Sequence, residues 1–319
     1  MPLVSVVAPM HDEAATAARF HERVAAALDG ERWELVIVDD GSRDGTGEAL
    51  AAIAAADPRV RIVALSRSFG HQAALTAGLD HARGDAVVML DGDLQDPPEV
   101  IPEMLARWRA GSDVVYAVRS DRPGESPFKL ITARWFYRLF RRVTDVELAP
   151  DSGDFRLMSR RALATLLAMP ERNRFLRGMS VWVGFTQTAV PFAREARSAG
   201  RTKYTFSRMM KFGFDAITSF SNRPLQWATL LGFACSLMAF LAIPLTIVAR
   251  YANIYERGVP TTIVIVLLLG GIQLITVGII GEYVGRIYDE VKRRPLYVVR
   301  DRVNAEAPAE RPEASGSAR

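Results

Sequence analysis

The chain of 319 residues contains a single cysteine, Cys235, which lies inside an apolar run. One cysteine excludes an intrachain disulfide and any metal site built from several thiolates. The first residues, MPLVSVVAPMHDE, also lack the basic region, apolar run and cleavage site of a secretory signal peptide. We therefore expect the N-terminal domain to stay in the cytosol.

The chain has no lysine- and arginine-rich arm, although its net charge is +4 and its isoelectric point is about 9.4. A basic balance suits nucleic acids, membrane surfaces and phosphorylated ligands. The basic residues here are scattered through loops and beside apolar runs. We therefore expect no nucleic-acid partner and favour a membrane surface and a phosphorylated ligand.

Apolar runs typical of strands alternate with helix-like segments over about the first 120 residues. The strand-like runs are apolar on both faces, which is typical of a parallel sheet covered by helices on both sides. We therefore predict an α/β fold with a Rossmann-like, mostly parallel sheet. The predicted strands cover residues 3–8, 33–38, 60–66, 85–90 and 113–118, and the predicted helices cover about 13–28, 44–56, 69–82 and 98–111.

Acidic residues follow two of the predicted strands. Asp39 and Asp40 end one run, and Asp91, Asp93 and Gln95 follow another. Ligands of such sheets bind beyond the carboxyl ends of the strands, so both groups face one crevice. Two aspartates separated by one small residue can offer oxygen ligands to Mg²⁺ or Mn²⁺, although such a pair is also common in solvated turns.

Two long uncharged runs occupy the C-terminal part of the chain, at about 226–249 and 259–281. Each run is long enough to cross a hydrocarbon core of about 30 Å. The connector between them is short, so we predict a two-helix transmembrane hairpin within residues 226–285. More lysines and arginines flank the outer ends of the hairpin than the connector, which predicts a multi-pass protein of the inner membrane with both termini cytosolic.

The segments beside the hairpin mix apolar and basic residues. We predict an interfacial amphipathic helix at 205–225 and a juxtamembrane helix or segment at 282–300. The tail at 301–319 is rich in Ala, Glu, Pro and Ser and is predicted to be disordered. Residues 1–204 form the predicted cytosolic catalytic domain.

Six segments follow one another along the chain: VVAPMHDE (6–13), VDDGSRDGT (38–46), LSRSFGHQAALTAGLDHARGD (65–85), MLDGDLQDPPE (89–99), DSGDFRLMSR (151–160) and RSAGRTKY (197–204). In this order they resemble glycosyltransferase family 2, which has the GT-A fold. The closer resemblance is to its polyprenyl-phosphate glycosyltransferases, the group of the dolichyl-phosphate mannose synthases and bactoprenol glucosyltransferases. Within the group, the paired spans match the bactoprenol enzymes. His11 stands where Asn or Tyr is common, and Gly92 where Ala is common.

The resemblance implies a site for a nucleotide sugar and a divalent cation, Mg²⁺ or Mn²⁺. The expected catalytic acids are Asp93, Asp154 and Asp151. Asp154 or Asp151 would orient a substrate or act as a base. The implied nucleotide-sugar contacts are Pro9, Glu13, Asp39, Asp40 and Asp91, the implied metal ligands are Asp91, Asp93 and Gln95, and the implied contacts to the acceptor phosphate are Arg119, Arg134, Arg197, Arg201 and Lys203.

The implied reaction is inverting transfer of a hexose from a nucleotide sugar to a membrane polyprenyl phosphate, undecaprenyl phosphate. UDP-glucose is the favoured donor, and GDP-mannose is the second candidate donor. A processive polysaccharide synthase and a non-catalytic membrane scaffold are two competing functions. The synthases usually carry more spans and a Gln-x-x-Arg-Trp motif, which this chain lacks. A two-helix hairpin buries little surface alone, which favours a homo-oligomer.

Overall fold

The computed structural model of the chain describes residues 1–119, 152–193, 223–252 and 259–307. These residues fall into two compact units. The first contains residues 1–119, 152–193 and 294–307, and the second contains residues 223–252 and 259–293. The C-terminal end of the described chain therefore belongs to the same unit as the N-terminal strands.

The first unit contains eight strands and six helices among the described residues. A 3₁₀ turn, Pro98–Val100, precedes α4. The strands are β1 Leu3–Met10, β2 Arg32–Asp39, β3 Val60–Leu65, β4 Ala86–Met89, β5 Val114–Arg119, β6 Ser152–Ser159, β7 Gln187–Phe192 and β8 Val299–Val303, and the helices are α1 Ala14–Ala27, α2 Thr46–Ala56, α3 His71–His81, α4 Ile101–Arg109, α5 Arg160–Ala168 and α6 Leu176–Trp182.

The strands form one sheet in the order β7-β5-β6-β4-β1-β2-β3-β8. The central strands β4, β1, β2 and β3 are parallel, while β6 and β8 run antiparallel to their neighbours. The predicted α/β fold with a mostly parallel sheet is confirmed. Its central strands are buried along almost their whole length, as their apolar sequences predict.

Helix α3 packs unusually close to the sheet because a glycine faces it. A Cβ atom at Gly78 would lie 2.3 Å from Cγ1 of Val7 on β1 and 3.0 Å from Cγ2 of Val38 on β2. Real Cβ atoms do not approach other heavy atoms so closely. The absence of a side chain at Gly78 therefore allows this close packing. Helix α3 begins at His71, six residues after the end of β3 at Leu65, so its N-terminus lies near the carboxyl ends of the strands.

A buried aspartate joins α2 to β3. Asp57 accepts hydrogen bonds from Nε and Nη2 of Arg59 at 2.9 and 2.8 Å, and Nε2 of His21 lies 3.0 Å from its Oδ2. The guanidinium of Arg59 stacks on Trp33 at 4.0 Å. The hydrogen bond from Arg59 is the main cause that holds the pKa of Asp57 well below its usual range, with a smaller contribution from His21.

We expect Asp57→Asn to lower the stability of this unit by about 2 kcal/mol at pH 7, because hydrogen bonds to a charged group are lost. A lowered folded-state pKa contributes stability above the ordinary carboxyl pKa and loses it as the pH falls. The difference in Tm between the wild type and the variant should therefore shrink below about pH 4. Scanning calorimetry between about pH 3 and 7 measures it, and a difference independent of pH would contradict the ionic role.

Two long apolar helices make up the described part of the second unit. Helix α7 spans Arg223–Tyr251 with Pro244 inside it, and α8 spans Val259–Lys292. They contain the predicted spans, but α8 runs without a break into the segment predicted separately at 282–300. Among the described residues, one helical stretch, Leu268–Lys292, is long and apolar enough to cross a membrane. The hairpin is thus partly supported, and residues 205–222 of the predicted interfacial helix lie outside the described residues.

The prediction of a disordered tail from residue 301 is wrong for its first residues. Residues 301–303 lie in β8, which pairs antiparallel with the edge strand β3. The valines of this segment suit a strand, and β3 offers it an open row of backbone groups. The composition of the last residues, rich in Ala, Glu and Pro, concealed this short strand, and residues 308–319 lie outside the described residues.

Candidate active site

The acidic groups predicted to share a crevice lie at one edge of the sheet. Strand β2 ends at Asp39, and β4 ends at Met89, two residues before Asp91. Strand β1 lies between them, so the two groups are separated by one strand. Parallel strands place these carboxyl ends on the same side, as Rossmann-like sheets do.

A histidine that was not predicted from the sequence lies between two of the predicted acids. Nε2 of His71, the first residue of α3, is 3.5 Å from Oδ1 of Asp91 and 3.2 Å from Oδ2 of Asp154 on β6. Burial lowers the pKa of His71, but the hydrogen bond to Asp154 and the charges of Asp91, Asp154 and Asp40 outweigh it and raise the pKa to about 9. The imidazole is therefore cationic at neutral pH.

Asp154 is held by several donors at once. Its Oδ2 accepts a hydrogen bond from Nε2 of Gln72 at 3.1 Å, and Nε of Arg177 on α6 lies 3.5 Å from Oδ1. The amide oxygen of Gln72 accepts in turn the backbone N–H of Leu176 at 2.9 Å. Although burial raises the pKa of Asp154, the hydrogen bond to His71 and the charge of Arg177 hold it well below its usual range.

Arg156 lies on the same strand, two residues after Asp154, and is almost fully buried. Its guanidinium donates to the carbonyl groups of Gly153 and Arg177, at 2.8 and 3.2 Å, and to the hydroxyl of Ser180. Burial lowers the pKa of Arg156 to about 10. Arg156 therefore fixes α6 against β6 and adds positive charge behind Asp154.

Asp91 is the acid whose ionised form is least satisfied by its neighbours. Its Oδ1 is buried and accepts no hydrogen bond from the described residues. Burial raises the pKa of Asp91 to about 6, and the charges of Asp154, Asp96 and Asp93 raise it further against the opposing effect of His71. Nε2 of His71 forms an ion pair with Oδ1 at 3.5 Å, and a divalent cation would supply the direct ligand contact that this distance does not.

The remaining predicted metal ligands lie in the loop after β4. Oδ1 of Asp93 accepts the backbone N–H of Gln95 at 3.1 Å, and Gln95 and Asp96 are buried. Within the described ranges, no group of three or more His, Cys, Asp or Glu side chains is arranged to hold a metal ion. The donor set fits an ion held by one or two carboxylates and completed by ligand phosphates, which is the usual way that Mg²⁺ binds.

The acids at the end of β2 organise the neighbouring loops. Oδ1 of Asp39 accepts the backbone N–H of Ser42 at 2.9 Å. The carboxylate of Asp40 accepts hydrogen bonds from the Ser68 hydroxyl and from the N–H groups of Phe69 and Gly70, at 2.8, 2.7 and 3.1 Å. Asp40 thus holds the loop that leads into α3, and with it the position of His71.

A cavity of about 510 Å³ opens beside this loop. Gly41 lies in its wall with φ +68°, and a Cβ atom there would lie 2.5 Å from the backbone carbon of Arg67. Only glycine allows this close approach and this backbone conformation. The cavity is lined by His11, Asp12, Gly41, Ser42, Arg43, Ser66, Arg67, Ser68 and Arg300.

The other predicted donor contacts lie on β1 and just after it. Pro9 is buried in β1 opposite Val38. Glu13 precedes α1, where its carboxylate accepts the Thr16 hydroxyl at 3.0 Å and its N–H donates to the Thr46 hydroxyl at 2.9 Å. Glu13 therefore stabilises the start of a helix in this structure.

Of the residues predicted to bind the acceptor phosphate, only Arg119 is described. Arg119 ends β5. Its Nη2 lies 3.7 Å from the position that a Cβ atom of Gly153 on β6 would occupy. It is thus on the β6 side of the acid edge, which is the sheet edge that carries Asp39, Asp40, Asp91 and Asp93. Asp151, Arg134, Arg197, Arg201 and Lys203 lie outside the described residues.

Four residues of this region were not predicted from the sequence. The sequence did contain a signal for His71 and Gln72, because they begin a helix directly after a strand and a glycine-containing loop, at the predicted binding edge. The sequence contained no such signal for Arg177 and Arg300, since they come from distant segments whose placement depends on the tertiary fold. The missed residues are His71, Gln72, Arg177 and Arg300.

The model of the family described as Glycosyl transferase family 2 matches residues 5–167. The match therefore covers half of the chain and includes β1, the acidic residues after β2 and β4, and Asp154.

Curated relatives match nearly the whole chain. Uncharacterized glycosyltransferase YkcC of Bacillus subtilis (strain 168) is 46% identical over 92% of each chain. The prophage bactoprenol glucosyl transferase homolog of Escherichia coli (strain K12) is 41% identical over 93% of this chain and 98% of its own length. A prophage-derived bactoprenol glucosyl transferase of Shigella flexneri is 40% identical over 93% of this chain and 97% of its own length.

Solved structures match more distantly. Glucosyl-3-phosphoglycerate synthase of Mycobacterium tuberculosis, in complex with Mn²⁺, UDP and phosphoglyceric acid, gives a TM-score of 0.47 at 23% identity over 72% of this chain and 78% of its own. Mannosyl-3-phosphoglycerate synthase of Rubrobacter xylanophilus gives a TM-score of 0.46 at 17% identity over 68% of this chain and 72% of its own.

Proposed function

The chain belongs to glycosyltransferase family 2 and is a glycosyltransferase, and from this premise we propose that it transfers glucose from UDP-glucose to the phosphate of a membrane polyprenol. The observation that carries the proposal is the match to bactoprenol glucosyl transferases over 93% of the chain. That match includes both the acidic edge of the sheet and the apolar helices. UDP-glucose as the donor and undecaprenyl phosphate as the acceptor are the finer parts of the proposal.

The acceptor itself is the nucleophile of the proposed reaction. A phosphate monoester with a second pKa near 6 is largely dianionic at neutral pH and needs no general base. One of its oxygens attacks the anomeric carbon as the bond from that carbon to the UDP oxygen breaks, and UDP leaves with the electron pair. Attack from the face opposite UDP converts an α-linked donor into a β-linked lipid product.

The described residues favour an orienting role for Asp154 in that reaction. Its pKa is held below the usual range, so it is a poor proton acceptor at neutral pH. It instead contacts His71, Gln72 and Arg177, and so fixes the cationic side chains of His71 and Arg177 at the acid edge. Positive charge there favours the approach of two phosphorylated substrates to each other.

Asp91 and Asp93, with Gln95 beside them, would hold a divalent cation, Mg²⁺ or Mn²⁺, against the donor diphosphate. The unsatisfied Oδ1 of Asp91 supports this assignment. Such a cation, when bound, neutralises negative charge that develops on the departing diphosphate. Arg119 and the basic residues outside the described ranges, Arg134, Arg197, Arg201 and Lys203, are the proposed contacts for the acceptor phosphate.

One apolar helix and relatives named for bactoprenol support association with a membrane. We propose the finer arrangement in which the apolar helices cross the inner membrane with both chain termini in the cytosol, and in which the chain forms a homo-oligomer. In that arrangement, transfer takes place at the leaflet where the head group of the lipid acceptor is presented.

The test uses the full chain purified in detergent, undecaprenyl phosphate, Mg²⁺ or Mn²⁺, and radiolabelled UDP-glucose or GDP-mannose in separate reactions. We expect lipid-linked glucose from UDP-glucose, and none when a chelator is added. A lipid-linked sugar from GDP-mannose alone would overturn the donor assignment. A long water-soluble polymer would indicate a processive synthase, and no lipid-linked sugar with any nucleotide-sugar donor would overturn the proposed function.

A further inference from the structure

After its apolar helices, the chain returns to the first unit, the catalytic unit that carries the candidate active site, and completes the sheet there. Strand β8 pairs with β3 through Val63 and Arg302, Ala64 and Asp301, and Leu65 and Val299, with an irregularity after Ala64. The backbone N–H of Ser66 donates to the carbonyl of Val298 at 2.9 Å, which extends the pairing into the loop after β3.

Side chains on both sides of β8 fix its position along β3. The hydroxyl of Tyr297 donates to Asp80 at 2.7 Å before the strand. After the strand, the amide of Asn304 donates to the carbonyls of Ala54 and Val60, at 2.9 and 3.0 Å. Arg300, between these anchors, therefore has a defined position on the sheet edge.

Arg300 lines the cavity formed by the loops after β1, β2 and β3. Its Nε pairs with Asp301 at 2.9 Å, and its side chain is 53% exposed. Its two terminal nitrogens donate no hydrogen bond to the described residues. Arg43 and Arg67 line the same cavity, and Asp12 is the single acid among its lining residues, so the cavity offers guanidinium donors to a ligand with acceptor oxygens.

The order of the strands sets the separation between Asp91 and Arg300 along the sheet edge. Asp91 follows β4, and β8 lies four strands away in the order β4-β1-β2-β3-β8. Neighbouring strands lie about 4.8 Å apart, so the two ends are separated by roughly 19 Å. The cavity lined by the loops after β1, β2 and β3 lies between these two ends, so a nucleotide sugar with its diphosphate at Asp91 and its base in this cavity would present the base to Arg300.

We infer that Arg300 is a donor-binding residue, supplied by the strand that follows the apolar helices, and that its guanidinium donates to a carbonyl oxygen of the nucleobase. The inference rests on the proposed function, because it takes a nucleoside diphosphate as the ligand. It assigns part of the donor pocket to a segment outside the family match at residues 5–167.

The experiment measures binding of UDP and UMP, with Mg²⁺, to the full chain in detergent by isothermal titration calorimetry. Arg300→Ala should weaken UDP binding about tenfold, as expected for a lost hydrogen bond from a charged group. Arg300→Lys should restore part of the affinity. UMP should lose affinity by the same factor as UDP, because both carry the base. Arg302→Ala is the matched control, since Arg302 lies on the same strand outside the cavity lining, and should bind UDP within about twofold of the wild type.

Each outcome separates the inference from the function on which it rests. Unchanged UDP affinity in Arg300→Ala, with a wild type that binds UDP, would overturn the inference alone. A loss of affinity for UDP without a loss for UMP would show that Arg300 contacts the phosphates, and it would overturn the base contact. An equal loss in Arg302→Ala would reduce Arg300 to a structural role. A wild type that binds neither UDP nor UMP would overturn UDP-glucose as the donor, and with it the proposed function on which the inference rests.

Discussion

Replacing Asp91 with asparagine is expected to reduce turnover about a thousandfold without lowering the stability of the protein. The loss of turnover follows if this carboxylate holds the cation that neutralises the leaving diphosphate. Stability is spared because the folded structure disfavours the ionised form of Asp91, as its pKa of about 6 indicates. An asparagine removes that unfavourable charge and keeps nearly the same shape.

The sign of this effect on stability can be tested by varying the pH. A carboxyl whose folded-state pKa is raised costs stability above its ordinary pKa near 4, and the full cost is present above about pH 6. In a chelator, the Tm of Asp91→Asn should equal that of the wild type at about pH 4 and match or exceed it at about pH 7. Calorimetry gives this comparison, and a radiochemical assay with Mg²⁺ gives turnover.

Asp29→Asn is the control for the Asp91 substitution, because Asp29 is an exposed acid of the same unit in the turn after α1. It should keep wild-type turnover and stability. Near-normal turnover in Asp91→Asn would show that the cation role is misassigned. A large drop in the Tm of Asp91→Asn at neutral pH would instead mark Asp91 as a structural residue.

Deleting residues 226–285 and joining the ends with a flexible linker is expected to release the protein from membranes and to reduce transfer to undecaprenyl phosphate in vesicles by about a hundredfold or more. The deletion removes most of α7 and α8 but keeps β8 and Arg300. Without the apolar helices, enzyme and lipid meet only by diffusion, and a high effective concentration is lost. UDP binding should stay within about twofold of the wild type.

A short, water-soluble polyprenyl phosphate separates membrane presentation from damage to the catalytic unit. The deletion variant should glycosylate that acceptor at a rate close to the wild type, because the short acceptor needs no membrane. Flotation with liposomes measures membrane release, and radiolabel in the lipid fraction measures transfer. Equal transfer to undecaprenyl phosphate by both proteins would show that the apolar helices do not present the acceptor.

The central sheet could be predicted because each of its strands carries its own signal. Runs such as residues 33–38 and 85–90 are apolar on both faces, and they end in acids or turns that mark the binding edge. The acids at 39, 40, 91 and 93 therefore fell at one edge in prediction and in structure. Regular periodicity over several residues carries this information without knowledge of distant contacts.

The partners of these acids could not be predicted in the same way. Asp40 was expected to bind the donor, yet its carboxylate is occupied by three donors of the loop 68–70, a pairing across about 29 residues. His71 meets Asp154 across 83 positions in sequence. Such contacts depend on which strand ends lie side by side, and the strand order of the sheet is set only when the whole unit folds.

The last strand has a further consequence for how the catalytic unit behaves when separated from the rest of the chain. A version that ends near residue 204 leaves Val60–Leu65 as an uncovered sheet edge, with unpaired backbone N–H and C=O groups along an apolar run. Edges of this kind pair with strands of other molecules and promote aggregation. Poor solubility of a truncated form would then reflect the loss of residues 294–307 rather than incomplete folding of the N-terminal domain, and grafting that segment back through a linker would protect the edge.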